Sequence, residues 1–173
     1  IHKGEFVSIL GKNGVGKSTL IKIITGISLS DKGNIALNGY NLIDNPLEYK
    51  KSFGYVADDY NSFIHLTGLE YLNFMADIYN IDTIKRKKQI DMLTTKLNIK
   101  KDLNNMIASY SKGMKQKIKI IGALLHEPKL LILDEPFNGL DAESVYIVKS
   151  LLKDMVSRGH TVLLTTHILE IAE

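Results

Sequence analysis

Gly11-Lys12-Asn13-Gly14-Val15-Gly16-Lys17-Ser18-Thr19 is the stretch that decides the fold. The apolar run Phe6 to Leu10 leads into it, and Leu20, Ile21, Ile23 and Ile24 follow at helical spacing. Glycines between a strand and a helix free the backbone to wrap, so that successive N–H groups converge on a polyphosphate. The helix start adds about half a positive charge at the same point. Asn13, Gly14, Val15, Gly16, Lys17, Ser18 and Thr19 are therefore the candidate phosphate-binding residues. At this spacing Lys17 reaches the β- and γ-phosphates as a point charge, and Ser18 offers its hydroxyl to Mg²⁺.

Outward from the loop, three further apolar runs read as buried strands: Phe53 to Val56, Leu130 to Leu133 and Val162 to Leu164. Phe6, in the strand that feeds the loop, is read as core with them. Segments of helical period separate the runs, which is the pattern of an α/β fold with a parallel sheet covered by helices. Asn38-Gly39 tolerates positive φ at both positions and predicts a small antiparallel hairpin between the first two strands. From Thr67 the character changes. Thr67-Gly68-Leu69-Glu70 is a capping box, and Leu72, Met75, Ala76 and Tyr79 line one face of a helix running to about Asn80. Ile90, Leu93 and Leu97 mark a second amphipathic helix. The run Lys85-Arg86-Lys87-Lys88 between them reads as a solvated face.

The expected organisation is one domain over 1–173, with 1–66 and 126–173 forming the core and 67–125 a helical subdomain. A chain of 173 residues is long enough for a single core. Its 45% hydrophobic and 24% charged residues are those of a chain folded throughout. A net charge of +3 is too weak a bias to argue for nucleic acid, and no direct nucleic-acid partner is expected. Without cysteine there is neither a disulfide framework nor thiolate chemistry. No apolar run approaches the roughly 20 residues that cross a bilayer, so a membrane role has to come through a partner. The first residue is Ile1, not Met, and a segment of something longer is expected.

Leu130-Leu131-Ile132-Leu133-Asp134-Glu135-Pro136 sets two carboxylates at the end of a buried strand, where unpaired charge is costly. A cation is expected opposite them. Mg²⁺ suits, with Asp134 holding it through water and Glu135 polarising the water that attacks the γ-phosphorus. Ser109 to Lys117 opens another helix, whose core face is Met114, Ile118, Ile121, Gly122 and Leu125. Ser111 reads as its N-cap. A serine, a glycine and free N–H groups at a helix start also make an anion site, and the residues alone leave both readings open.

Taken in order, these segments resemble the ATP-binding cassette family over nearly the whole chain. Gly11 to Thr19 resembles Walker A, Tyr110 to Met114 the signature motif, and Leu130 to Glu135 Walker B. Asn138-Gly139-Leu140-Asp141 resembles the D-loop, and His167 after Thr165-Thr166 the switch histidine. The resemblance implies a P-loop NTPase fold of RecA-like type with a parallel-sheet core, a small antiparallel element and a helical subdomain. It implies ATP and Mg²⁺ as ligands, Glu135, His167 and Lys17 as catalytic residues, and Ser18, Asp134 and Asp58 around the metal. It also implies head-to-tail pairing with a second cassette, in which Ser111 and Gly113 of one close over the γ-phosphate held by the other.

Three departures from the family pattern stand out. The signature reads Tyr-Ser-Lys-Gly-Met where Leu-Ser-Gly-Gly-Gln is usual, so that Lys112 either strengthens the phosphate contact or faces solvent. Asp58 stands where the Q-loop glutamine is expected, a shorter and charged side chain that can still touch Mg²⁺ through water, while the glutamine's neutral contact is lost. The adenine-stacking aromatic, which lies well before Walker A, is not in this sequence, and the chain stops shortly after His167. The expected role is the ATPase subunit of a transporter of exporter type, peripheral on the cytoplasmic face of the membrane and driving transmembrane permease subunits. The alternative is a soluble cassette ATPase acting on ribosomes or nucleic acid. Against its chromosome-maintenance and repair forms, no long coiled coil separates Walker A from the signature, while the translation-factor form, with two cassettes on one chain, stays open.

Overall fold

Every residue of the run Leu130–Asp134 is buried, which requires that both faces of one strand be covered. The computed structural model describes residues 1–167. Residues 168–173, assigned to the core on sequence grounds, lie outside the described residues. In chain order the elements are β1 (Phe6–Leu10), α1 (Lys17–Ile24), β2 (Ala36–Leu37), β3 (Tyr40–Asn41), α2 (Pro46–Lys51) and β4 (Phe53–Val56), then α3 (Gly68–Ile78) and α4 (Thr83–Lys96). Two 3₁₀ turns lead to α5 (Lys112–Leu124), β5 (Leu130–Asp134), α6 (Ala142–Ser157) and β6 (Thr161–Thr166). The sheet runs β1-β6-β5-β4 with every pairing parallel.

Alternation along β5 shows how the two faces are filled. Leu131 and Leu133 join the cluster that contains Leu72, Ile118, Ile121, Val148 and Leu152 from the long helices. Leu130 and Ile132 join the other, with Ile21 of α1 and Tyr49 of α2. The expectation of a buried first strand is corrected here. Among the described residues β1 is bonded to β6 on one side, none of its residues is fully buried, and Phe6 is 36% exposed. An edge strand covers less of itself than a central one.

The hairpin forms as the sequence requires, with φ of 52° at Asn38 and 84° at Gly39 between β2 and β3. At α3 the capping box is complete: Thr67 Oγ1 accepts from the Glu70 N–H at 3.2 Å, and Glu70 Oε2 accepts from the Thr67 N–H at 2.8 Å. The basic run on α4 is less uniform than a solvated face. Lys87 and Lys88 are exposed, but Arg86 is half-buried, bonded to Asp77 and to the Ile81 carbonyl, and Lys85 pairs with Glu127. The helices of 67–125 have no core of their own, for Tyr71, Leu93 and Ile118 share one cluster with Val56, Leu133 and Leu164 of the sheet.

Candidate active site

Parallel pairing sends the C-terminal ends of β1, β4, β5 and β6 to one edge of the sheet, the usual place for ligands in such folds. A cleft of 340 Å³ opens there. Its wall takes Asn13, Gly14, Gly16, Lys17, Ser18 and Thr19 from the loop after β1, Asp58 from beyond β4, Glu135 and Asn138 from beyond β5, and His167 from beyond β6. Sequence positions 13, 58, 135 and 167 thus meet in one place. Val15, 63% exposed, is not part of the wall.

The loop folds around its own lysine. Lys17 is buried and donates to the carbonyls of Gly11 at 2.6 Å and Lys12 at 3.1 Å. Gly14 at φ 84° and Gly16 at φ 102° sit in the left-handed region, and Gly16 caps α1 without a side chain. No acidic residue occupies the first turn of α1, so nothing there offsets the positive end of its dipole.

Opposite the loop stand the two carboxylates. Asp134, 2% exposed, accepts from Thr165 Oγ1 at 2.5 Å. The same hydroxyl oxygen accepts from the Glu135 N–H at 3.1 Å, so one threonine ties both residues to β6. Glu135 adopts φ 49°, a conformation costing about 1 to 3 kcal/mol for a residue with a Cβ. Its Oε2 is 2.9 Å from His167 Nδ1, and its Oε1 is 3.6 Å from Lys17 Nζ. Oε1 is buried with no hydrogen-bond partner among the described residues.

Oxygen donors of this kind fit Mg²⁺, which is commonly held by one or two carboxylates together with substrate phosphates and waters. Ser18 and Asp58 share the cleft wall, and Glu135 Oε1 is an unsatisfied acceptor within it. Asp134 is not part of the wall. No group of three or more His, Cys, Asp or Glu able to hold a metal occurs among the described residues, so a cation there would complete its shell with phosphate and water.

Ser111 and Gly113 are not brought to the cleft. Ser111 is the N-cap of α5, its Oγ accepting from the Met114 N–H at 3.2 Å. Gly113 faces the turn after β5 so closely that a Cβ would come within 2.6 Å of the Gly139 carbonyl oxygen. Lys112 is exposed, as one of the two sequence alternatives had it, and its ammonium also lies 4.7 Å from the ring centre of Tyr60.

Tyr60 is one of several site residues that the sequence did not mark. Lys119 Nζ lies 4.5 Å from its ring centre and donates to the carbonyls of Ala57 at 2.8 Å and Asp59 at 2.7 Å. Its hydroxyl donates to the Asn138 carbonyl at 3.1 Å. Burial, with the charges of Asp58 and Glu135 behind it, pushes the Tyr60 hydroxyl up to about 12. Burial lowers the Lys119 ammonium to about 8 against the pull of Asp58 and Asp59. The loop bearing Asp58 is thereby strapped to α5. Thr165 is also new, although its place before His167 in a hydroxylated pair was a usable signal.

A family model described as ABC transporter matches residues 1–138. The ABC-type transporter ATP-binding protein EcsA of Bacillus subtilis is 36% identical over 173 residues, spanning 100% of this chain and 70% of that protein. The Nod factor export ATP-binding protein I of Rhizobium leguminosarum bv. viciae is 34% identical over 173 residues, spanning 100% and 56%. Among solved structures, that of an ATP binding subunit of an ABC transporter superposes with a TM-score of 0.92 at 37% identity, over 98% of this chain and 71% of that one. The dimeric post-hydrolysis state of the ATP-binding cassette MJ0796, bound to ADP and Pi, gives 0.84 at 26% identity, over 99% and 78%.

Proposed function

Because this chain belongs to the ABC transporter family, as its ATP-binding and ATP-hydrolysing domain, we propose that the cleft between the glycine loop and Glu135 is its Mg-ATP site. The observation that carries this is the meeting of a buried lysine, a helix N-terminus and a strained carboxylate across one cleft. The loop N–H groups from Asn13 to Thr19 bind the phosphates. Lys17 exchanges its bonds to the loop carbonyls for the β- and γ-phosphate oxygens. Glu135 orients the attacking water and takes its proton as the new P–O bond forms and the bond to the β-phosphate oxygen breaks. His167 holds that carboxylate through Oε2. Mg²⁺, when bound, neutralises charge on the phosphoryl oxygens, and Ser18, Asp58 and, through water, Asp134 are the residues to hold it.

Ser111 and Gly113 lie outside this chain's own cleft, which supports the reading that they serve a second cassette paired head to tail. Among the described residues no helix is long and apolar enough to cross a membrane. The likeness to ABC transporter ATP-binding proteins supports work on a membrane through transmembrane permease partners, with this domain peripheral on the cytoplasmic face. The wording of the signature, acidic Asp58 and the likeness to a Nod factor export protein favour export.

Titration of wild type and Lys17→Ala with a fluorescent ATP analogue tests the assignment of the cleft. Loss of the buried cation removes tight binding, by about tenfold or more if the charge contributes 1.4 kcal/mol or more. Equal affinity in the two proteins contradicts the assignment.

A further inference from the structure

Gln116 lies on the second turn of α5, and its side chain is completely buried. Its Nε2 donates to the Pro136 carbonyl at 3.0 Å. Only the NH₂ end of an amide can face a carbonyl, so the orientation follows from the contact itself. Oε1 is then left buried with no hydrogen-bond partner among the described residues. Packing alone explains this poorly, because a methionine would fill similar space with no polar end of its own to bury, although it would leave the Pro136 carbonyl unpaired in place of Oε1.

What the amide does hold is the Pro136–Phe137 peptide, one peptide beyond those that adjoin Glu135. The left-handed φ of Glu135 persists only where its surroundings fix it. Thr165 of β6 fixes its N–H, and the Asn138 N–H bonds its carbonyl at 3.2 Å from within the turn. Gln116 supplies the third tie, and it comes from the helix that begins at Ser111. Gly113 on that helix touches the same turn at Gly139.

We propose that Gln116 is a positioning residue: through the Pro136 carbonyl it holds the 135–139 turn so that the Glu135 carboxylate stands between Lys17 and His167, and it couples that carboxylate to the start of α5. This rests on the reading of Glu135 as the group that activates water.

The test is Gln116→Met in the complete protein, with Glu135→Gln and the double variant measured beside it. Melting temperature, affinity for a fluorescent ATP analogue and phosphate release are read for each. Gln116→Met exchanges one unpaired buried oxygen for another, so the melting temperature stays close to wild type, affinity is unchanged and kcat falls by about tenfold, the scale of one lost hydrogen bond in the transition state. The double variant is no slower than Glu135→Gln alone, since both act through one carboxylate. Wild-type kcat in Gln116→Met, a loss that adds to that of Glu135→Gln, or a variant that melts early or fails to fold overturns the proposal. Wild-type turnover in Glu135→Gln instead overturns the reading of Glu135, which separates the two failures.

Discussion

Thr165 does the work of two partners with one hydroxyl, donating to Asp134 and accepting from the Glu135 N–H. Thr165→Val keeps the shape and removes both bonds, leaving buried polar groups unpaired. Urea unfolding is expected to show a loss of about 1 to 3 kcal/mol, with Thr165→Ser close to wild type. A loss in Thr165→Ser with none in Thr165→Val would place the effect in the lost methyl packing. At this scale the sequence was informative where chemistry demands a residue type at a fixed local spacing. Gly14, Gly16, Lys17 and Ser18 are legible for that reason, and so are Asp134 and Glu135 at the end of an apolar run. Gln116 and Tyr60 are ordinary residues whose partners lie 20 and 78 positions away, and no local pattern marks such pairs, while Thr165 is signalled only by its place in the hydroxylated pair before His167.

Among the elements, α5 touches the site at more points than its place as a core helix requires. Lys119 ties it to the backbone of Ala57 and Asp59, and Lys112 and Lys119 both stand over Tyr60. Lys119→Met releases the strap while keeping the buried stem. Amide hydrogen exchange over residues 57–61 is then expected to rise, with β5 unchanged. Unchanged protection of 57–61 would mean that the loop is held by other contacts. Gly113→Ala probes the second junction. Its Cβ meets a backbone carbonyl that cannot rotate away, so about 1 to 3 kcal/mol of stability is lost as α5 and the turn move apart. A melting temperature equal to wild type would show that the turn yields freely. The helical pattern of Met114, Ile118 and Ile121 made α5 legible, and Ser111 its cap. Its junctions were not legible, because they join its polar side chains to segments distant in sequence.

For the whole molecule, the alternation of β5 side chains between two buried clusters explains why four apolar runs sufficed to read a parallel sheet covered on both faces. The edge position of β1 was beyond the sequence, since strand order depends on how the crossovers pack and not on the strands themselves. Acid stability offers a global check. The ring of His126 stacks on Tyr79 with centroids 3.5 Å apart, and burial lowers its pKa from the usual 6.5 to about 4. The unfolded chain therefore takes up a proton below pH 6.5 that the folded protein refuses until about pH 4, and stability falls as pH drops through that window. His126→Phe preserves the stack and flattens the fall, measured as melting temperature against pH. A fall of the same steepness in the variant would assign the acid sensitivity to other groups.

Glu135→Gln in the complete protein separates the two acts proposed for the cleft, the binding and the hydrolysis of ATP. Nucleotide affinity is expected to stay at the wild-type value while phosphate release falls by about 10²-fold or more, the range for losing a general base. Phosphate release at the wild-type rate, with binding intact, would place the hydrolytic group elsewhere and contradict the account.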